Sequence, residues 1–493
     1  MTALKYRTIE SATNNELLEF NKIRNKSRYR PNFHITPPHG LLNDPNGFCF
    51  YNGQYHLFYQ WYPYGTFHGL KHWMHLTSID LINWNEEGCK IIPNESYESH
   101  GAYSGAAFIE DDHAYLFYTG NVKQDNERDA NQCMALLGKT HSVEKHVDNP
   151  VIQSVPQGYT GHVRDPKIVK HQDSYYMLLG AQKEEPLQGC IIVYQSSDLL
   201  DWTYIGELTI ESDADFSNAY MFECPDLLKV DGQDVLIFSP QGLTPQGDRF
   251  QNRYNVVYCI GKVDWEQLSF KVQAWDELDR GFDFYAPQTM ANSPDDPTLI
   301  AWAGTDEKLP SQQQGWVNTL TLPRQLTIRD DRLYQMPVDR VGNLNRTSIV
   351  NEKISRNVVD GKSQNIKVVE LDSLSFELNL TSLTGGAEIS IESDEGEKLL
   401  FTIDGVKKEL KMDRTLYDHN DDSWGFSPIR KTTNTEEINN VKMIVDQSII
   451  EVFANQGRDV FTSLFFPKET KHYLKISLEE QSEVDINLQY LTI

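Results

Sequence analysis

Five short runs of aromatic and aliphatic residues recur about every sixty residues, at 55–61, 114–120, 174–180, 234–240 and 298–304. A unit of that length holds several strands, so it fits a propeller blade rather than one turn of a solenoid. A second element recurs with it: Ser78-Ile-Asp80-Leu-Ile-Asn-Trp84, then Ser197-Asp198-Leu-Leu-Asp-Trp202, one residue shorter, with an echo at Val263-Asp264-Trp265. A β-sandwich with accidentally similar strands is the alternative on these repeats alone. Their phase argues against it. Asp44, Ser104, Asp165, Glu223 and Tyr285 precede the five runs and are separated by 60, 61, 58 and 62 residues. In a propeller, positions of equal phase surround one axis, so these five side chains should converge at the mouth of the central channel.

The expected class is all-β, a five-bladed β-propeller followed by a C-terminal β-sandwich. Residues 1–31 form an N-terminal extension with one short helix over about 13–29. Residues 32–335 are the propeller. Residues 336–360 are polar and irregular and read as a linker. Residues 361–493 alternate apolar and polar positions, the pattern of strands with one buried face, and give the sandwich.

With 45 Lys and Arg against 71 Asp and Glu, the chain carries a formal charge of −26, which disfavours nucleic acid and anionic membranes as partners. The six cysteines are scattered, with no paired or zinc-like spacing. No apolar leader or membrane-length stretch is evident. A cytoplasmic protein with a small-molecule substrate is the default, with a mature secreted form lacking its signal as the alternative, and no metal or cofactor is expected.

Three of the in-phase residues are acids one or two positions before a proline: Asp44-Pro45, Asp165-Pro166 and Glu223-Cys224-Pro225. Singly, each has a bland reading. Asn43-Asp44-Pro45-Asn46-Gly47 is a good turn, and Arg164-Asp165 is a local ion pair. Glu223 follows Phe222 among apolar neighbours that would favour its protonated form. Together they form an acidic site assembled from separate strands, the arrangement that cleaves glycosidic bonds with one carboxyl as acid and another as nucleophile or base.

The same segments resemble glycoside hydrolase family 32, which holds invertases, fructanases and sucrose-6-phosphate hydrolases. The matching motifs run from His34-x-x-Pro37-x-x-Gly40-Leu-Leu-Asn43-Asp44-Pro45-Asn46-Gly47 through Phe58-Tyr-Gln60, Tyr103-Ser104-Gly105, Arg164-Asp165-Pro166 and Glu223-Cys224-Pro225-Asp226. They continue with Gly281-Phe-Asp-Phe-Tyr285-Ala-Pro-Gln288, Leu322-Pro323-Arg324 and Val445-Asp446 to Phe453. The resemblance implies a retaining mechanism, with Asp44 as nucleophile, Glu223 as acid and base, and Asp165 holding sugar hydroxyls. Carboxyls roughly 5 to 5.5 Å apart would suit it. It further implies that Asn43, Gln60, Tyr103, Ser104 and Arg164 bind substrate, Arg164 orienting Asp165 or bonding a hydroxyl. Trp73 and Tyr285 would line the pocket.

Within the family the chain is more similar to the intracellular sucrose-6-phosphate hydrolases than to secreted members. It has Leu41-Leu42 before Asn43, and the basic segment His68-Gly-Leu-Lys71-His72-Trp73. A dianionic phosphate needs cationic partners, for which Lys71 and His72 are the candidates. An exo-fructanase and a fructosyltransferase keep the same acids, and a sugar-binding propeller without turnover is the remote alternative. The sandwich shows no catalytic constellation and is expected to brace the propeller or form a homodimer. Its Asp446 and Glu451 read as solvated strand residues.

Overall fold

The computed structural model describes residues 5–24, 27–124, 127–304, 308–356, 365–416, 427–433 and 436–493. Five sheets, antiparallel except for two short parallel additions, surround one axis. Their innermost strands are Gly40–Tyr51, Ala102–Glu110, Tyr159–His171, Met221–Val230 and Tyr285–Thr289, and each contacts the next around the ring. In every sheet the chain meanders outward from the axis. Several first hairpins close through pairs of left-handed residues, Asn52-Gly53, Asp111-Asp112 and Asp231-Gly232, the conformation that matches strand twist. Both faces of a blade are covered by neighbouring blades, so strands such as His72–Ser78 are buried at every residue rather than alternately.

The ring closes when Trp316–Val317 adds in parallel to Gly40–Tyr51. Gly40, at φ +74°, sits where a Cβ would lie 2.1 Å from the Tyr62 carbonyl oxygen, so a side chain there would block the closure.

Each of the five innermost strands carries a β-bulge in which two residues oppose one. The bulges lie between Leu42 and Pro45, Ala102 and Gly105, Arg164 and Lys167, Glu223 and Asp226, and Tyr285 and Gln288. A bulge turns side chains away from the regular pleat. These five fall 60, 62, 59 and 62 residues apart. The sequence phase is therefore close but not strict: Glu223 starts its bulge, Asp165 is the first bulged residue and Asp44 the second. The turn repeat also needs realignment. Ser196, not Ser197, matches Ser78: both hydroxyls accept from the N–H groups two and three residues on, and Asp80 and Asp198 then accept from two further N–H groups. The spacing of the two elements is then identical.

Two six-stranded sheets form the C-terminal sandwich. Residues 336–360, expected as a linker, hold a 3-10 turn (Asp339–Asn343) and an edge strand, Asn345–Ser355, paired along its length with Glu483–Thr492; residues 357–360 lie outside the described residues. The polar texture belongs to an edge strand with one exposed side. At the N-terminus the helix spans Asn14–Arg24, shorter than expected, and residues 1–4 and 25–26 lie outside the described residues.

Asp446 and Glu451 are not solvated. Both are fully buried where sandwich meets propeller. Asp446 accepts from the backbone N–H groups of Asn32, Phe33 and His34 and from the His34 ring. Glu451 takes the other His34 nitrogen at 3.0 Å, the Leu322 N–H and the Arg324 guanidinium. Arg324 also reaches Asp279 at 3.0 Å. Burial alone would lower the His34 imidazole, but its bonds to Asp446 and Glu451 outweigh that and raise it to about 9.

Candidate active site

At one end of the propeller axis lies a cavity of about 360 Å³. Asp44, Asp165 and Glu223 line it, from three different blades, together with Asn43, Gln60, Tyr103, Ser104, Arg164 and Tyr285. The bulges bring them there, because each acid lies within the stretch that leaves the regular pleat.

Asp44 is fixed through both oxygens. Ser104 Oγ donates to Oδ2, and Asn43 Nδ2 donates to Oδ1 at 3.2 Å. Asn43 also donates to Gln60, whose Nε2 donates to Ser104 Oγ at 2.8 Å, closing a ring of amides and hydroxyl around the acid. Lys71 Nζ donates to Asn43 Oδ1 at 2.6 Å. Burial raises the Asp44 carboxyl above its ordinary range; the Ser104 bond opposes this and the Glu223 charge adds to it.

Glu223 is not surrounded by apolar groups as its sequence neighbours suggested. Arg164 donates to Oε1 through Nε at 2.9 Å and Nη2 at 2.5 Å. Tyr285 Oη and Gln241 Nε2 donate to Oε2 at 2.5 and 2.6 Å. Arg164 thus pairs with Glu223 rather than orienting its chain neighbour Asp165. The backbone explains this: Asp165 has φ 65°, and Arg164 and Asp165 flank the turn into the bulge.

Among the described residues, Asp165 accepts from Cys224 alone, by the N–H at 2.9 Å and the thiol at 3.6 Å, both on Oδ2. Burial pushes its carboxyl up; Arg164 opposes, Glu223 and Asp44 reinforce, and the result is about 7. Asp44 and Asp165 are thus both held above the ordinary carboxylate range, a mark of buried functional acids.

Two expected site residues are elsewhere. Trp73 is fully buried behind the cavity, packed on Phe58 and Tyr118, with its indole N–H donated to the Tyr103 carbonyl. His72 is likewise buried: Nε2 accepts from the Ile9 N–H, Nδ1 meets the Leu70 carbonyl, and burial lowers the ring to about 4. Lys71 lies just before the strand His72–Ser78 and enters the cavity, whereas His72 is turned into the core. Lys71 lines it but is already engaged with Asn43 and His68.

Sequence reasoning missed several lining groups. Lys5 and Tyr6 arrive from the N-terminal extension, held by the Leu70 N–H on the Lys5 carbonyl and by the Tyr6 ring on His100. Lys123 and Arg128 come from the second and third strands of blade two, and His162 from the start of the innermost strand of blade three. Their only sequence signal is basic character in an acidic chain. Among the described residues, no cluster of metal-ligating side chains is present, and no helix is long and apolar enough to cross a membrane.

The N-terminal domain model of glycosyl hydrolases family 32 matches residues 34–337, and the C-terminal model of that family matches residues 341–492. The chain is 36% identical to a sucrose-6-phosphate hydrolase of Bacillus subtilis, over 94% of this chain and 95% of the relative. It is also 36% identical to one from Staphylococcus xylosus, covering 96% of this chain and 94% of the relative. The structure of a sucrose-6-phosphate hydrolase from Lactobacillus gasseri superposes with a TM-score of 0.88 at 31% identity, over 99% of this chain and 98% of the other. A Bombyx mori GH32 beta-fructofuranosidase superposes at 0.84 and 30% identity, over 98% and 99% of the two chains. With both domains matched end to end, the chain belongs to glycosyl hydrolase family 32.

Proposed function

We propose that the chain is a retaining β-fructofuranosidase that hydrolyses sucrose 6-phosphate to glucose 6-phosphate and fructose. The observation that carries this is the convergence of Asp44, Asp165 and Glu223 on one cavity, with Asp44 pinned by Ser104 and Asn43 and Glu223 held on Arg164, Gln241 and Tyr285. The likeness to sucrose-6-phosphate hydrolases supports the phosphorylated substrate.

In the first step an Asp44 oxygen bonds to the anomeric carbon of the fructosyl unit. The bond to the glucosyl oxygen breaks, and Glu223 gives its proton to that oxygen. In the second step water attacks the same carbon, Glu223 takes the water's proton, and Asp44 leaves as the carboxylate. Asp165 accepts from fructose hydroxyls, which bind more strongly as positive charge builds on the ring. Asn43, Gln60 and Ser104 hold Asp44 and the fructosyl unit.

Glu223 has only donors around it in the resting site. Arg164 and the Gln241 amide nitrogen can do nothing but donate, whereas the Tyr285 hydroxyl both donates and accepts. A proton on Oε2 is therefore accommodated by turning the Tyr285 O–H, which makes Tyr285 a positioning residue for the acid. The six cysteines are all free, four of them buried, which supports a reducing, cytoplasmic setting.

The test is kcat/KM for sucrose 6-phosphate and sucrose, measured side by side by fructose release. A strong preference for the phosphorylated sugar is expected. Equal rates would make the enzyme an invertase, and comparable turnover of inulin would make it a fructanase.

A further inference from the structure

Lys5, Lys123 and Arg128 line the outer part of the active-site cavity, and none of the three forms an ion pair with an acid among the described residues. Lys123 and Arg128 lie directly opposite each other on the second and third strands of blade two, so their side chains share a face. Like charges in that relation destabilise a hairpin. Burial, then the Arg128 and Lys5 charges, hold the Lys123 ammonium below its ordinary range. Among the described residues, Arg128 meets the Tyr103 ring, 5.5 Å from its guanidinium carbon, and His162 Nδ1 at 3.4 Å. Among the described residues, the acids whose charge acts on Arg128 are Glu223 and Asp165 of the catalytic site.

The position of the cluster is as informative as its charge. His162 Nδ1 also takes Arg164 Nη1 at 3.0 Å, and Arg164 holds Glu223. The order is therefore Glu223, Arg164, His162, Arg128, leading away from the acids. Lys71 and Asn43 lie on the other side, around Asp44. A second depression, of about 680 Å³, shares Lys123, Arg128 and His162 with the cavity, so the cations stand beside open space. A group beyond the oxygen that Glu223 protonates meets them first.

We propose that the Lys123–Arg128 cross-strand pair, completed by Lys5 from the N-terminal extension, is the clamp for a phosphate on the leaving sugar. The proposal rests on the reading of the substrate as phosphorylated. A dianion at the pair replaces cation repulsion with charge-assisted hydrogen bonds, and the planar guanidinium can take two phosphate oxygens at once.

The experiment measures the ratio of kcat/KM for sucrose 6-phosphate to that for sucrose in wild type, Lys123→Gln, Arg128→Gln and the double variant. Inhibition by glucose 6-phosphate and by glucose is measured on the same proteins. The expected result is a wild-type ratio well above one that falls at least ~10-fold in each single variant, as expected for loss of one charged hydrogen bond. Glucose 6-phosphate inhibition weakens in parallel, while inhibition by glucose does not track it. Thermal midpoints should hold or rise, because a repulsion is removed; if the double variant does not fold, Lys123→Gln alone decides. A wild-type preference that survives in folded variants would overturn the clamp and leave the substrate reading intact. A wild-type ratio near one would overturn that reading and the clamp with it.

Discussion

The molecule holds two buried clusters with the same ionic inventory. At the domain interface Asp279, Asp446 and Glu451 meet His34 and Arg324. In the active site Asp44, Asp165 and Glu223 meet Arg164 and Lys71. Each has three acids and two basic groups. What differs is the donors. In the interface every carboxylate oxygen accepts at least one bond, many from backbone N–H groups that cannot leave. In the active site, among the described residues, Asp165 accepts from Cys224 alone, through one oxygen. The interface is complete without a ligand, and the active site keeps acceptor capacity for sugar hydroxyls. Charge count does not separate a structural acid from a catalytic one; the interface acids are tied to backbone N–H groups, whereas Asp44 and Glu223 are held by side chains and Asp165 keeps an oxygen for a ligand.

Substitutions in the two clusters should therefore fail differently. The largest effect on activity is expected from Asp44→Ala, a loss of at least ~10³-fold in kcat with the thermal midpoint retained; near-normal turnover would remove Asp44 from the nucleophile role. Glu223→Ala should lose ~10²–10⁴-fold on sucrose 6-phosphate. It should lose much less on a fructoside with an activated leaving group, which needs no proton. Equal losses on both substrates would argue against the acid role.

In the interface, His34→Ala leaves Asp446 and Glu451 short of a cation and should cost about 3–5 kcal/mol in denaturant unfolding. Because the His34 imidazole is raised to about 9, its contribution is full below the ordinary histidine range and fades as pH rises toward 9. The wild-type advantage over His34→Ala should shrink over that window; a constant difference would contradict a charged His34.

Asp165→Asn should lose activity yet gain stability. The Asp165 carboxyl is raised to about 7, so ionising it in the folded state is unfavourable. The wild type therefore loses stability as pH rises from the ordinary carboxylate range to about 7. The variant should be more stable at pH 8, by a difference on the order of 1 kcal/mol that vanishes near pH 4. Destabilisation at pH 8 would place Asp165 with the structural acids. The smallest effect is expected from Tyr285→Phe, about 10-fold in kcat, again with less effect on activated leaving groups.

Much of this was legible in the sequence because repeats and proline-flanked acids are local signals. The five runs marked the blades, and the motifs marked the acids. What stayed hidden depends on pairing between distant segments. The bulge offset that puts Glu223, Asp165 and Asp44 at successive positions shows only in the strand register. Arg164 is next to Asp165 in the chain, and only the Asp165 φ of 65° sends the guanidinium to Glu223. Trp73 and His72 have the composition of a sugar site but face the core. Lys123 and Arg128 are five residues apart and become a pair only across a hairpin. Asp446 and Glu451 alternate like exposed strand residues, and their burial comes from a domain whose contact the sequence does not announce.

Asp44, and neither Asp165 nor Glu223, is expected to become covalently fructosylated. The most direct measurement is rapid acid quenching of Glu223→Ala during turnover of an activated fructoside, followed by peptide mass spectrometry. A fructosyl adduct on Asp44, within the strand Gly40–Tyr51, is the expected result. An adduct on Asp165, or no adduct together with an inverted product, would contradict the assignment.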